Sequence, residues 1–167
     1  MAVGRTQLRS TLYNYLTGAS IATLNQIFTS FPKRINFQVN ADAGQMSRAA
    51  AVIFIQSERE TRLAIGGATS GWKRVDFTVV LQLFHHSLQN NAEDAMTDFD
   101  TLVDNIKNTL RASHNFGDSS QVNVWQGAEP AIDALYGEPV TSDNGATETW
   151  AEIRFDLRNL SHFRPFL

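Results

Sequence analysis

His85 and His86 stand side by side, and a histidine pair is a natural starting point for a metal site. Both fall in a segment that alternates like a strand, where adjacent side chains point to opposite faces, so they cannot converge on one ion. The expectation is one packed histidine and one solvated. His114 and His162 lie near loops, and no Glu or Asp stands at the helical spacing of a metalloprotease motif. The chain has no cysteine, which removes disulfides, thiolate nucleophiles and cysteine-ligated zinc or iron–sulfur centres. Gly66 to Gly71 is glycine-rich and follows a strand, as a phosphate loop does. It lacks the Gly-Lys-Ser/Thr ending, and a second strand follows it where a helix N-terminus would be needed. A hairpin turn accounts for those glycines. Gly67-Ala68-Thr69-Ser70-Gly71 has the outline of a nucleophile elbow, but Thr69 occupies the serine position and the strand–turn–helix context is missing. Neither a catalytic site nor a cofactor nor a metal is expected.

Two charged sets remain. Glu58, Arg59, Glu60 and Arg62 close a long strand; they read either as a solvated edge with cross-strand ion pairs or as a contact between subunits. Asp98, Asp100 and Asp104 lie on a helix beyond its first turn, where the helix dipole no longer explains a carboxylate. They read either as a solvated face or as an acidic lining that DNA passes without sticking.

The elements that must position these groups follow from periodicity. Thr6 to about Thr17 is a helix, with Thr6 or Ser10 as its cap, Leu8, Leu12, Tyr15, Leu16 and Ala19 at helical spacing, and Gly18 at its end. An apolar stretch from Ile21 to Phe28 leads to Phe31-Pro32, and Ile35 to Val39 alternates as a short strand. Asn40 to Ala50 is polar and small, as a loop is. Ala51 to Ile65 and Trp72 to His86 form a long hairpin. In its second arm Val75, Phe77, Val79, Leu81 and Leu83 face one way, while Arg74, Asp76, Thr78 and Gln82 face the other, with Val80 the apolar exception. Such a sheet is covered on one side. Asn91 caps the firmest helix, in which Ala92, Ala95, Met96, Phe99, Leu102, Val103, Ile106 and Leu110 make a continuous stripe. A short strand over Gln121 to Gln126, an irregular connection over Gly127 to Ala146 and a long strand over Thr147 to Leu160 complete the chain, and Ser161 to Leu167 forms a tail with Phe163 and Phe166. The expected fold is α+β: a mostly antiparallel four-stranded sheet, built on a long central hairpin, with helices on one face.

At 167 residues, with 43% hydrophobic and 19% charged residues, the chain fits one domain spanning residues 1–167 with a full core. A net charge of −3 lacks the basic excess of a protein that grips nucleic acid. No window approaches a membrane span, and Met1-Ala2-Val3-Gly4-Arg5 runs into polar residues without a secretory apolar region, so synthesis and folding in a cytoplasm are expected.

The order and texture of these segments resemble the tail terminator proteins of long-tailed phages with non-contractile tails. The carriers are the N-terminal helix leading to Phe31-Pro32, the strand from Ala51 to Glu60 running on to Gly66-Gly67, and the strand from Lys73 to Leu81 with its end at Phe84-His85-His86-Ser87. The helix opening over Asn91 to Asp100 and the closing strand from Trp150 to Leu157 complete the set. The resemblance implies an α/β fold without catalysis or cofactor, assembled as a homohexameric ring on the last ring of the tail tube, in the neck region of a virion. Its partners would be the tail tube (major tail) protein on one side and a head-completion protein of the neck on the other, with DNA passing through the lumen unrecognised. Six copies at −3 each would carry −18. The connection over Gly127 to Ala146 is long for such a protein. Another phage neck or tail-completion protein of similar fold is the alternative, and a small cytoplasmic enzyme using the long loop is a third.

Overall fold

The computed structural model describes residues 4–37, 44–62, 71–113, 115–117 and 131–163. Three long alternating segments set the architecture: β2 (Ser47–Arg62), β3 (Gly71–Ser87) and β6 (Thr147–Phe163). They lie antiparallel with β3 in the middle. At one margin β1 (Leu24–Phe28) runs parallel to β2; at the other β4 (Ile132–Tyr136) and the two-residue β5 (Val140–Thr141) both pair antiparallel with β6. The result is a six-stranded mixed sheet in the order β1-β2-β3-β6-β4, with β5 also on β6.

Two helices cover one face, α1 (Arg5–Gly18) and α2 (Ala92–Arg111). The sheet gives them Ala49, Ala51, Ile53 and Ile55 from β2, Val75, Phe77, Val79, Leu81 and Leu83 from β3, and Ala151, Ile153, Phe155 and Leu157 from β6. Leu8, Leu12 and Leu16 of α1 and Phe99, Leu102, Val103, Ile106 and Leu110 of α2 fill the other side of this core. Burial stabilises each of the larger side chains by about 1.5–3 kcal/mol. The Asn91 side chain accepts from the Asp94 amide at 2.7 Å, and Glu93 and Asp94 occupy the first turn. The capped, charge-matched start of α2 is thus the one expected. α1 begins differently. Gly4 is its cap residue without a side-chain bond, and the Ser10 hydroxyl donates back to the Thr6 carbonyl inside the helix. Polar links then fix α1 to its surroundings: Arg5 donates to the Ile55 carbonyl at 3.1 Å, Arg9 to the Thr29 carbonyl at 3.0 Å, and the Tyr15 hydroxyl to the Thr109 carbonyl of α2 at 2.7 Å.

A bulge between Ile55 and Ser57 has the largest geometric consequence. Up to Ile55 the odd-numbered residues of β2 face the helices; past the extra residue, Glu58, Glu60 and Arg62 take that face, opposite Phe77, Val75 and Lys73. Length explains why charge is tolerated there. Seventeen strand residues span about 55 Å, whereas the twenty of α2 span about 30 Å. The far end of the three long strands therefore runs beyond the end of α2.

The α+β class holds, but four expectations are corrected, the first being the loop over Asn40 to Ala50, whose last four residues, Ser47 to Ala50, open β2. The sheet has six strands and a parallel pair, where four mostly antiparallel strands were expected. The short strand is Leu24–Phe28, while 31–37 is non-strand. Leu24 and Ile27 pack against the core, whereas Phe31 lies against Phe54 and Phe37 stacks on His86, so the later segment lies over the sheet and not beside it. The connection over Gly127 to Ala146 contains β4 and β5 in its described part. Ile132 and Ala134 reach the core, and an Asn144-Gly145 turn, with Gly145 at φ 83°, closes β5 onto β6. The expected strand over 121–126 and turn over 66–70 lie outside the described residues.

Truncating Phe99, fully buried between α2 and the sheet, is expected to cost about 3–5 kcal/mol, and Asn91→Ala about 1 kcal/mol. Urea unfolding of the two variants checks both. A Phe99→Ala midpoint equal to the parent's would contradict the packing.

Candidate interaction surface

The sheet face away from the helices carries the accessible side chains. Along β3 it presents Arg74, Asp76, Thr78, Val80, Gln82, Phe84 and His86, every second residue of the strand. One half is an ionic lattice. Asp76 accepts from the guanidinium Nε of Arg74 at 2.9 Å and of Arg158 at 2.8 Å, one on each carboxylate oxygen. Thr78 donates to Asp156 at 2.7 Å, Gln82 donates to Glu152 at 3.1 Å, and Arg154 lies 3.9 Å from Glu152. These half-exposed pairs fix side-chain geometry more than they stabilise, at about 0–1 kcal/mol each.

Apolar side chains share the face, Val80 and Phe84 lying on either side of Gln82 along β3. Val52 and Val80 are buried although they point away from the helices, and Phe31 packs on Phe54 with ring centres 5.6 Å apart. Phe84 pairs with Trp150, and Leu135 and Val140 extend the apolar area across β4 and β5. Phe54, Trp150, Leu135 and Val140 are all exposed. Trp150 lies close over Gly137, where a Cβ would fall 2.0 Å from the indole Nε1. Only glycine lets that ring lie flat on the backbone.

The charged residues read from the sequence are divided by this geometry. Arg59 is opposite Asp76, on the open face, while Glu58, Glu60 and Arg62 share the helix-side face past the bulge, where Glu60 pairs with Lys73 at 2.7 Å. The four therefore present two surfaces. On α2, Asp100 and Asp104 are exposed four residues apart, and Asp104 pairs with Lys107 at 2.7 Å. Asp98 is about 200° round the helix from Asp100 and is half-buried. One of its oxygens accepts from Ser47 at 2.8 Å and from Gln89 at 3.1 Å. It thereby joins the start of β2, the β3–α2 link and α2, so the three aspartates do not form one face.

Asp98 also borders a polar cleft of about 290 Å³ lined by Thr23, Asn25, Ser47, Arg48 and Gln89. Sequence reasoning missed this cleft because its lining comes from four separate segments. Thr23, at φ 74°, adopts a left-handed conformation unusual for a β-branched residue. Among the described residues no group of three His, Asp or Glu gathers as a metal site would require.

The two histidines separate as strand geometry demands. His85 is buried against Phe99 with its Nδ1 3.2 Å from the Thr149 hydroxyl. His86, on the opposite face, is half-buried under Phe37 and lies 3.4 Å from Glu148. Burial pushes His85 down to about 4, the nearby Asp98 partly opposes that shift, and His86 adds to it.

No protein-family model and no curated protein matches this sequence. No helix among the described residues is long and apolar enough to cross a membrane.

The His85 shift fixes a pH dependence. Between its ordinary value of 6.5 and about 4 the unfolded chain takes up a proton that the buried ring refuses. Its contribution is therefore complete above pH 6.5 and is lost as the pH falls towards 4, at up to about 1.4 kcal/mol per pH unit. Urea unfolding at a series of pH values across that window should show the slope, and His85→Leu should lack it. Equal slopes for the two proteins would count against a neutral buried ring.

Proposed function

We propose that this chain is an assembly protein that works as a ring: the tail terminator of a long-tailed phage with a non-contractile tail. In this reading six copies seat on the end of the tail tube, stop its polymerisation and offer the other side of the ring to a neck protein, and DNA slides through the lumen. The observation that carries it is the open face of the sheet, where Phe54, Trp150, Leu135 and Val140 are exposed beside an ordered ionic lattice. Clustered exposed apolar residues rimmed by charge are characteristic of protein–protein contact surfaces. A ring requires a contact between two different patches of the same chain, and strand margins supply such patches readily. Asp100 and Asp104, exposed on α2, add to the acidic character that a DNA channel would need. Arg59 on the open face and Glu58 and Glu60 on the other are placed to meet different neighbours.

The reading is tested by native mass and negative-stain electron microscopy of the purified protein, alone and with the tail-tube protein of the same virus. Closed rings near six times 18.6 kDa, together with shortened tubes capped by them, are the expected result. Rings that leave tube length unchanged and bind the head-side neck protein instead would assign the chain to the neck. Charge reversal at Glu58 and Arg59 is expected to impair ring formation; unaltered rings would remove those residues from the interface.

A further inference from the structure

Asp98 of α2 and Arg48 at the start of β2 line the same polar cleft of about 290 Å³. Each brings its charge there without a counter-charge: among the described residues no ion pair involves either one. The carboxylate is fixed by neutral donors instead. The Gln89 main-chain amide donates to the Ser87 hydroxyl at 3.2 Å, the Ser87 and Ser47 hydroxyls lie 2.9 Å apart, and Ser47 donates to Asp98 Oδ2 at 2.8 Å. The Gln89 side chain donates to the same oxygen at 3.1 Å. All of these bonds fall on Oδ2, so Oδ1 is an acceptor with no donor among the described residues.

The guanidinium is held in the same manner. Oriented by its hydrogen bonds, the Asn25 amide accepts from Arg48 Nη1 at 2.7 Å and donates to the Thr23 carbonyl at 2.6 Å, and the Gln45 side chain accepts from Nη2. Arg48 Nε is buried and has no acceptor among the described residues, a costly state for a charged donor. Thr23, whose carbonyl also accepts from the Ala49 amide at 2.9 Å, keeps its left-handed φ of 74° in the cleft wall. A β-branched residue stays in that conformation only where its surroundings impose it, and such strain gathers at ligand sites.

We infer that the cleft binds a small zwitterion, a free amino acid, whose ammonium donates to Asp98 Oδ1 and whose carboxylate accepts from Arg48. A ligand with positive charge alone would satisfy Asp98 and be repelled by Arg48, and one with negative charge alone would meet the reverse; a molecule carrying both matches the site. The volume lies at the small end of ligand sites, which span about 300–1,000 Å³. The hydroxyl of Thr23 and the amide of Gln89 suit a short polar side chain.

The test is calorimetric titration of the full chain with glycine, L-serine, L-glutamine, β-alanine and 4-aminobutanoate, the last two varying the spacing of the charges. Ethylammonium and propanoate serve as singly charged controls. At least one amino acid is expected to bind with a Kd of about 1 mM or tighter, at least about tenfold tighter than either control. Asp98→Asn and Arg48→Gln should each weaken that binding at least about tenfold, with far-UV circular dichroism unchanged. No binding by any amino acid overturns the inference, as does a control that binds as tightly, or binding that both variants retain in full. The comparison with the controls is made on the parent chain, so it decides even where a variant fails to fold. Rings and tubes enter none of these readouts, so a failed titration leaves the assembly reading as it stands.

Discussion

The pairing of β3 with β6 is the constraint on which the rest depends. The two strands are in register from Gly71 opposite Phe163 to Ser87 opposite Thr147, without a break. A slip of one residue would turn Val75, Phe77, Val79, Leu81 and Leu83 away from the helices and bring Arg74, Asp76 and Gln82 into the core. That exchange would replace a row of buried apolar side chains by unpaired charge, so register is enforced along the whole ladder. The helices and the bulge in β2 are accommodated on that ladder.

That ladder is longer than the helices that cover it, and the bulge resolves the mismatch. Without it, the helix-side positions beyond Ile55 would continue as Ser57, Arg59 and Thr61, and Glu58 and Glu60 would stand on the open face. With it, Glu60 meets Lys73 on the helix side, and Arg59 joins the open face opposite Asp76, which already accepts from Arg74 and Arg158. Three cations thus surround or oppose one aspartate. The same face changes towards its other end to Phe84, Trp150, Leu135 and Val140. One side of the sheet is a core; the other mixes charged and apolar side chains, with Arg74, Asp76 and Arg158 at one end and Glu148 beside His86 at the other.

Much of this was legible where periodicity was long and unbroken. The stripe from Ala95 to Leu110, the Asn91 cap and the alternation of β3 and β6 each follow from residue type and spacing, and strand parity placed His85 and His86 on opposite faces. What was illegible lies in short or interrupted elements. β1 is five residues, and Leu24 and Ile27, three apart, both reach the core because the parallel register is irregular between Leu24 and Gln26. β4 and β5 are separated by Gly137-Glu138-Pro139, so their alternation never reaches strand length, although Asn144-Gly145 is a strong hairpin signal. The bulge was invisible because Gln56 is an ordinary strand residue; only pairing with β3 reveals that it is extra. For the same reason the run from Glu58 to Arg62 read as one patch and is two. Asp98 was grouped with Asp100 and Asp104 by composition, though helix geometry alone separates them. Its partners Ser47 and Gln89 come from β2 and the loop before α2, which no local pattern joins.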